Sequence, residues 1–337
     1  MTVVERLQSS GIRRLGSPKR GFRYRRSAGG RVSREERARI AALVLPPAWT
    51  DVHISPSVSS AVQAIGRDRA GRWQYVYSER QTRIREARKR ARLLAFLRAL
   101  PALRTRLAQD LRREGLSRER VLAAMARLLL RGFLRPGSQV YARENGSYGL
   151  ATLRPGHVRV RGSRVTLDYP GKGGKHQLRE IEDAAAARVV RALLADPGPE
   201  VFRYRNGGDA WVNVRRRNLN AYLGEITGGR VTAKDFRTWA GTLFGACALA
   251  RAGFPDPPSA RAIRRRVAEA MRETAEILGN TPAVCRASYV SPGILEAFEK
   301  GRLLAEPPSL ETLIRASPRV LADVEKRLAR LIANGSG

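Results

Sequence analysis

The hydrophobic pattern of the sequence changes near Gln81, and this change limits the folds that the chain can adopt. Before that point, short strand-like runs alternate with turn-forming residues. After it, Leu and Ala recur at helical spacing over long stretches. We therefore predict an α+β protein. A small β-rich N-terminal domain covers residues 1–90. A larger, mainly α-helical domain with a small antiparallel β-sheet covers residues 91–337.

The first domain opens with a basic, glycine-rich stretch, residues 11–31, that contains no acidic residue. Ser33 and Glu36 have the spacing of a capping box, so we expect a helix over 33–45. Pro46 ends it. Strands are predicted over residues 50–54, 60–65 and 73–77.

The second domain is predicted to be helical at both ends, with strands between. Thr232 and Gly279 are candidate helix caps. Pro101 is expected to break the first long helical pattern. Strands are predicted over residues 139–143, 151–153, 157–161, 164–168 and 176–181. Helices are predicted over residues 81–100, 102–114, 117–131, 181–195, 210–226, 232–252, 258–278 and 309–333.

The charge balance indicates a polyanionic partner. The 337 residues include 64 Lys and Arg against 30 Asp and Glu, a net charge of +34. Such a surplus repels itself unless a polyanion binds it. The hydrophobic fraction of 43% excludes a disordered basic tail. No apolar run approaches the roughly 20 residues of a membrane span, and the N-terminus lacks a signal-peptide pattern. We expect a nucleic-acid-binding protein in the cytoplasm.

Several kinds of catalytic site are disfavoured. The three histidines have no metal-binding spacing, and no carboxylate cluster of the two-metal type is present. The glycine run Pro170 to Lys175 is followed by His176 instead of Ser or Thr, so it does not match a phosphate loop. We therefore predict no metal, no nucleotide and no other cofactor. Two possibilities remain: binding of nucleic acid alone, or phosphoryl transfer by side chains alone.

Five segments supply side chains suited to such a transfer. Arg presents a planar, two-pronged donor to the charge that develops on phosphoryl oxygens. A departing 5′-oxygen needs a proton, and a Tyr nucleophile forms a reversible ester that conserves the energy of the broken bond. The candidates are Arg135, Lys172, Arg237, Asn280 and Tyr289.

With these segments in order, the chain resembles the type IB DNA topoisomerases, in the compact poxvirus-like form found in bacteria. The resemblance covers nearly the whole length. It rests on Gly21-Phe-Arg-Tyr24, Leu45-Pro-Pro-Ala-Trp-Thr-Asp-Val52, Tyr141-Ala-Arg-Glu-Asn145, Lys234-Asp-Phe-Arg-Thr238 and Leu278-Gly-Asn-Thr-Pro282 followed by Tyr289.

The resemblance implies a role for each catalytic candidate. Tyr289 forms a 3′-phosphotyrosyl link. Arg135 and Arg237 clamp the non-bridging oxygens, and Arg135 also helps to move the proton. Lys172 is the general acid that expels the 5′-hydroxyl. Asn280 stands where many relatives have His, and it can donate a hydrogen bond but cannot shuttle protons.

The resemblance also implies DNA contacts and an activity. Gln74, Tyr75 and Tyr141 match DNA-contacting positions, and Lys234 is expected to assist at the phosphate. The implied activity is ATP-independent relaxation of positive and negative supercoils in double-stranded DNA, by a monomer, through single-strand cleavage, rotation and religation.

Two alternatives stay open at this point. A tyrosine site-specific recombinase uses the same chemistry. Recombinases typically carry His-x-x-Arg at the second arginine, whereas this chain has Lys234-x-x-Arg237. They also have a helical N-terminal domain. The other alternative is a non-catalytic DNA-coating protein, which forms no covalent adduct.

Overall fold

The computed structural model describes residues 1–206 and 210–334. The chain divides into two compact units, Met1–Arg88 and Lys89–Gly337, and the boundary falls within one long helix. The predicted roles of residues 1–90 as a DNA clamp and of residues 91–337 as a catalytic domain stay predictions.

The first unit is built on an antiparallel sheet of five strands in the order β2-β1-β3-β4-β5. Its apolar core includes the fully buried Ile12, Ile54 and Ala64. The strands are β1 (Ile12–Ser17), β2 (Gly21–Arg26), β3 (Thr50–Ile54), β4 (Val62–Arg67) and β5 (Trp73–Tyr77), and the helices are α1 (Val3–Ser10) and α2 (Arg34–Ala42).

Local signals account for part of this unit. The predicted capping box is confirmed, because the Ser33 hydroxyl accepts from the Glu36 N–H at 3.1 Å. Strands β1 and β2 were not predicted. In β2, both exposed positions between residues 23 and 25 are Arg, and only the alternate positions are partly buried. The apolar alternation that would indicate these strands is therefore short and is interrupted by basic residues.

The second unit is mainly helical, with two small antiparallel sheets. The strands are β6 (Val158–Arg161), β7 (Arg164–Pro170), β8 (His176–Glu182), β9 (Arg203–Arg205) and β10 (Trp211–Asn213). The helices are α3 (Glu79–Asp110), α4 (Arg118–Gly132), α5 (Gln139–Asn145), α6 (Ala184–Ala195), α7 (Arg216–Thr227), α8 (Ala233–Ala252), α9 (Ala260–Leu278), α10 (Pro282–Val284), α11 (Pro292–Glu299), α12 (Leu310–Arg315) and α13 (Pro318–Ala333). The α+β class is confirmed.

The predicted break at Pro101 is wrong, because α3 continues through it. A proline inside a helix removes one hydrogen bond. Here Leu100 and Leu103 are fully buried on either side of Pro101, and their burial offsets that loss.

Two predicted strands are also wrong. Residues 139–143, with Tyr141, belong to α5, which ends at Gly146 in the left-handed region (φ +55°). Residues 150–152 form a single 3₁₀ turn. Both segments are short, and such runs carry too few residues to separate a period of 2 from a period of 3.6.

The C-terminal helix predicted over 309–333 is two helices, α12 and α13. Pro318 takes the first helical position of α13, where its missing N–H costs nothing, and Ser317 caps that helix. The predicted helix over 210–226 starts later, at Arg216, because residues 211–213 pair with β9.

Helix α8 lies at the centre of the second unit and is buried along nearly its whole length. Its aromatic side chains Phe236, Trp239 and Phe244 are fully buried. The Phe96 ring meets the Phe236 ring edge-on at 5.1 Å between centroids. This packing fixes the helix that carries Arg237. Among the described residues, no helix combines the length and apolar character that a membrane span needs.

Candidate active site

Tyr289 is the last residue of a single π-helical turn, Cys285–Tyr289. The Val290 N–H donates to the Cys285 carbonyl at 3.0 Å, which closes the wide turn. The Lys89 ammonium donates to the carbonyl oxygens of Ala287 (3.1 Å) and Val290 (2.7 Å). Such turns are rare and are concentrated at functional sites. The half-buried phenol is therefore presented by a fixed backbone.

Helix α8 supports the same turn through two small residues. A Cβ on Gly241 would lie 2.8 Å from the Tyr289 Cβ and 2.9 Å from its carbonyl oxygen, so only glycine permits this approach. The Thr242 hydroxyl lies 3.2 Å from that carbonyl and accepts from the Ser291 N–H at 3.0 Å.

Arg237 is buried, with 3% of its surface exposed. Its guanidinium donates to the carbonyls of Phe133 (2.6 Å) and Leu278 (2.8 Å), and no carboxylate among the described residues pairs with it. Burial, and then the charge of Arg135, lower the pKa of Arg237 to about 10. A buried cation without a carboxylate is costly unless an anion from outside binds there.

Arg135 and Asn280 are in direct contact, because the Arg135 guanidinium donates to the Asn280 side-chain oxygen. Asn280 follows Gly279, which ends α9 in the left-handed region (φ +60°), so the predicted helix end is confirmed. Among the described residues, the Arg135 Nε, the Asn280 Nδ2 and the Arg237 Nε of this cluster are buried without a hydrogen-bond partner. A buried donor without a partner is costly, and these three can donate to phosphoryl oxygens.

The two arginines shift the ionisation of the phenol. Burial, the largest single effect, raises the pKa of Tyr289, but the charges of Arg237 and Arg135 and their hydrogen bonds to the phenol together lower it below the ordinary value of 10. The arrangement therefore favours the phenolate, which is the stronger nucleophile.

Lys172 lies in the turn between β7 and β8, where Gly173 adopts φ +74°. Its side chain is exposed, yet it lines the same small cavity as Arg135 and Arg237. The structure thus joins Arg135 to Asn280 and Arg237 to Tyr289, and it places Lys172 on the wall of the cavity that Arg135 and Arg237 line. No hydrogen bond joins Lys172 to the other four in the described part of the chain.

The four predicted DNA-contacting residues are divided between the two units. Lys234 is exposed on the first turn of α8. Tyr141, on α5, is 59% exposed. In the first unit, the Gln74 amide donates to the Asp68 carboxylate at 2.9 Å, and the Tyr75 ring stacks against Tyr77.

Sequence reasoning missed three residues of the cavity wall, Tyr169, Gln177 and Arg179. Burial raises the pKa of Tyr169 against the opposing charge of Arg179, and burial also lowers the pKa of Arg179. The available signal was the alternation in β8, which directs Gln177 and Arg179 to the same face.

No metal site accompanies the cluster. Within residues 1–206 and 210–334, no group of three or more His, Cys, Asp or Glu side chains is arranged to hold a metal ion. The five candidate side chains supply two guanidinium groups, one amide, one ammonium and one phenol.

Two family models match the chain. The one described as "Eukaryotic DNA topoisomerase I, catalytic core" matches residues 79–300, which include all five catalytic candidates. The one described as "Bacterial DNA topoisomerase IB, N-terminal domain" matches residues 21–68. Gln74 and Tyr75 fall between the two matched segments.

Viral proteins are similar over most of the chain. DNA topoisomerase 1B of Acanthamoeba polyphaga mimivirus is 32% identical over 304 residues, which is 89% of this chain and 90% of the relative. DNA topoisomerase 1B of vaccinia virus (strain Copenhagen) is 22% identical over 244 residues, 71% of this chain and 73% of the relative.

Proposed function

Since the chain belongs to the type IB DNA topoisomerases, we propose that Tyr289 is its nucleophile and that Arg135, Lys172, Arg237 and Asn280 complete its catalytic site. The enzyme acts on DNA as a type IB topoisomerase of the bacterial form. This membership argues against a site-specific recombinase and against a DNA-coating protein.

In the proposed reaction, the Tyr289 phenolate attacks a backbone phosphorus. The bond from Tyr289 oxygen to phosphorus forms as the bond to the 5′-oxygen breaks. That oxygen leaves as a hydroxyl with a proton from the Lys172 ammonium, and the 3′-phosphate stays on Tyr289. In religation the 5′-hydroxyl returns its proton to Lys172 and attacks, and the phenolate departs. Each step exchanges one phosphoester for another, so the cycle needs no ATP.

Arg135, Arg237 and Asn280 stabilise the pentacoordinate transition state. Arg237 has no carboxylate to neutralise it among the described residues, so its charge is available to a non-bridging oxygen. Among the described residues, Arg135 Nε, Arg237 Nε and Asn280 Nδ2 are buried donors that lack partners, so all three can donate to the phosphoryl oxygens. Arg135 also promotes loss of the phenol proton to water, because its charge stabilises the phenolate.

DNA binding is proposed to involve Gln74 and Tyr75 in the first unit and Tyr141 and Lys234 in the second. The protein is proposed to work as a monomer on double-stranded DNA, without a nucleotide or metal cofactor, at the nucleoid in the cytoplasm. The net charge of +34 supports binding through phosphate neutralisation.

The single observation that carries the catalytic assignment is the Arg237 guanidinium over the Tyr289 ring, 4.8 Å from its centroid. The test is plasmid relaxation without magnesium and without ATP, combined with trapping of covalent protein–DNA adducts by denaturant. We expect the wild type to relax supercoils of both signs and to form the adduct. We expect Tyr289→Phe to do neither while its affinity for DNA changes by less than about twofold. Relaxation by Tyr289→Phe would refute the assignment.

A further inference from the structure

Gln177 contacts two glycines, and each precedes a catalytic candidate. A Cβ on Gly171, the residue before Lys172, would lie 2.7 Å from the Gln177 Cγ. A Cβ on Gly279, the residue before Asn280, would lie 2.6 Å from the Gln177 Oε1. The buried Gln177 side chain is thus in contact with the backbone of both turns.

The direction of this side chain is fixed by its surroundings. The Gln177 amide donates to the His176 carbonyl at 3.0 Å. In the strand register, Gln177 is paired with Tyr169, which is buried. A long side chain restrained in this way transmits a shift of one backbone to the other, because a close-packed contact does not compress freely.

Arg179 makes a second connection between the same two elements. From β8 it donates to the Ile277 carbonyl at 2.8 Å, in the last turn of α9. Arg179 lies on the same face of β8 as Gln177, and Ile277 lies two residues before Gly279. The strand and the helix end are therefore held together at two successive inward positions.

The Lys172 turn needs such a restraint. Gly173 and Gly174 adopt φ values of +74° and +73°, and a glycine-rich turn has more backbone freedom than any other. Lys172 itself has no hydrogen bond or ion pair among the described residues. Its position relative to the phosphate then depends on what contacts the base of the turn.

We propose that Gln177 is a positioning residue that couples the Lys172 turn to the Asn280 turn, so that the ammonium and the amide meet the same phosphate. This inference rests on the proposed function, because it assumes that Lys172 protonates the leaving 5′-oxygen. Arg179 supports the coupling from the neighbouring inward position.

The test compares single-turnover cleavage of two oligonucleotide duplexes that differ in the leaving atom. One carries the natural 5′-oxygen at the cleavage site and the other a bridging 5′-sulfur. A thiol is a far stronger acid than an alcohol, so the sulfur leaves without a proton donor. The ratio of the two cleavage rates therefore reports the contribution of the Lys172 ammonium.

We expect Gln177→Ala to slow cleavage of the oxygen duplex by about 10- to 100-fold, because displacing a catalytic group by about 1 Å has effects of this size. Cleavage of the sulfur duplex should slow several-fold less, so the oxygen-to-sulfur ratio shifts towards that of Lys172→Ala. Gln177→Met keeps a long unbranched side chain between the two glycines and should restore most of the ratio. An unchanged ratio in Gln177→Ala would overturn the proposal, whether cleavage of the two duplexes is unaffected or slows equally.

Two controls separate this inference from its premise. Leu178→Ala changes the neighbouring, exposed residue of β8 and should leave the ratio unchanged. If Lys172→Ala slows both duplexes equally, the proposed acid role of Lys172 fails. If Lys172→Ala shifts the ratio and Gln177→Ala does not, only the positioning role of Gln177 fails.

Discussion

The guanidinium carbon of Arg237 lies 4.8 Å from the ring centroid of Tyr289. Arg237 is buried, so its charge acts on the phenol with little screening by solvent. The two residues are 52 positions apart in the sequence, on α8 and on the π-helical turn. This contact joins the cation proposed to receive a phosphoryl oxygen to the proposed nucleophile.

The ionisation of Tyr289 follows from this contact and is measurable. Because the arginine charges outweigh the effect of burial, the phenol should titrate below pH 10 in the folded protein. At any pH under 10, more of Tyr289 is then phenolate than in a free tyrosine. The measurement is carbon-13 NMR of protein labelled at tyrosine Cζ, with Tyr289→Phe to assign the signal.

Arg135→Gln should move this titration to higher pH, because it removes one of the two charges that favour the phenolate. Tyr222 is an internal control, since burial and its bond to Asp110 raise its pKa well above 10. A Tyr289 signal that titrates at or above pH 10 in the wild type would contradict the interpretation.

Gly241→Ala should damage catalysis more than stability. Its new Cβ would lie 2.8 Å from the Tyr289 Cβ, and contacts that short force a shift. We expect cleavage to slow by about 100-fold, the usual effect of a 1 Å displacement. Unfolding should become easier by about 1–3 kcal/mol. Single-turnover cleavage and urea denaturation measure the two effects.

Gly224→Ala in α7 is the matched control. A Cβ there meets nothing closer than 3.8 Å, so alanine should stabilise the helix by about 0.5–1 kcal/mol and leave cleavage unchanged. Wild-type cleavage in Gly241→Ala would show that Tyr289 does not depend on the close approach of α8.

Asp235 holds the first turn of α8, two residues before Arg237. Its buried carboxylate accepts from the Arg92 guanidinium at 2.5 and 2.8 Å and from the Thr232 N–H at 2.7 Å. Asp235→Ala removes the helix cap and leaves Arg92 without its acid. Because Arg92 is half-exposed, we expect a loss of about 2–3 kcal/mol, below the full cost of breaking a buried pair.

Urea denaturation measures this loss. Asp323→Ala is the control, since Asp323 pairs with Lys326 on the surface and both side chains are more than 70% exposed. It should change stability by less than about 0.5 kcal/mol. An equal, small effect of both substitutions would show that Asp235 does not stabilise α8.

Local signals explain which parts of this fold were predictable from the sequence. Ser33 and Gly279 act within one helical turn, and the structure has each at the predicted helix end. Helix α3 continues through Pro101, whereas Pro318 stands at the start of a new helix, and one physical reason explains both outcomes. The effect of a proline depends on its place in the helix and on the burial around it, and neither is a local property.

The residue types of the site could be predicted from their chemistry and order, but the contacts could not. The close approach of Gly241 to Tyr289 joins residues 48 positions apart, and Gln177 reaches Gly279 from about 100 positions away. Both contacts depend on the packing of helices and strands. In the sequence, nothing distinguishes Gly241 or Gly279 from the other glycines of the chain. The π-helical turn has no sequence signature that the prediction used.

The proposed DNA binding by the first unit can be tested through its dependence on salt. On the β1–β2 hairpin, Arg13 lies directly opposite Arg25, and Arg23 is on the same exposed face opposite Leu15. Like charges placed opposite each other destabilise a sheet. No carboxylate among the described residues pairs with these three arginines, so a polyanion is the partner that would offset the repulsion.

Replacing Arg13, Arg23 and Arg25 together by Gln should therefore weaken DNA binding and make it less sensitive to salt. Each lost phosphate contact lowers the slope of log affinity against log salt by about 0.9, so the triple variant should lose about 2 to 3 units. Fluorescence anisotropy of a labelled duplex at several salt concentrations measures the slope. The control replaces three exposed cations that pair with carboxylates by Gln, namely Arg265, Arg315 and Lys326. It removes the same charge and should change the slope less. Equal slopes for the two triple variants would mean that net charge, and not the hairpin face, determines the affinity.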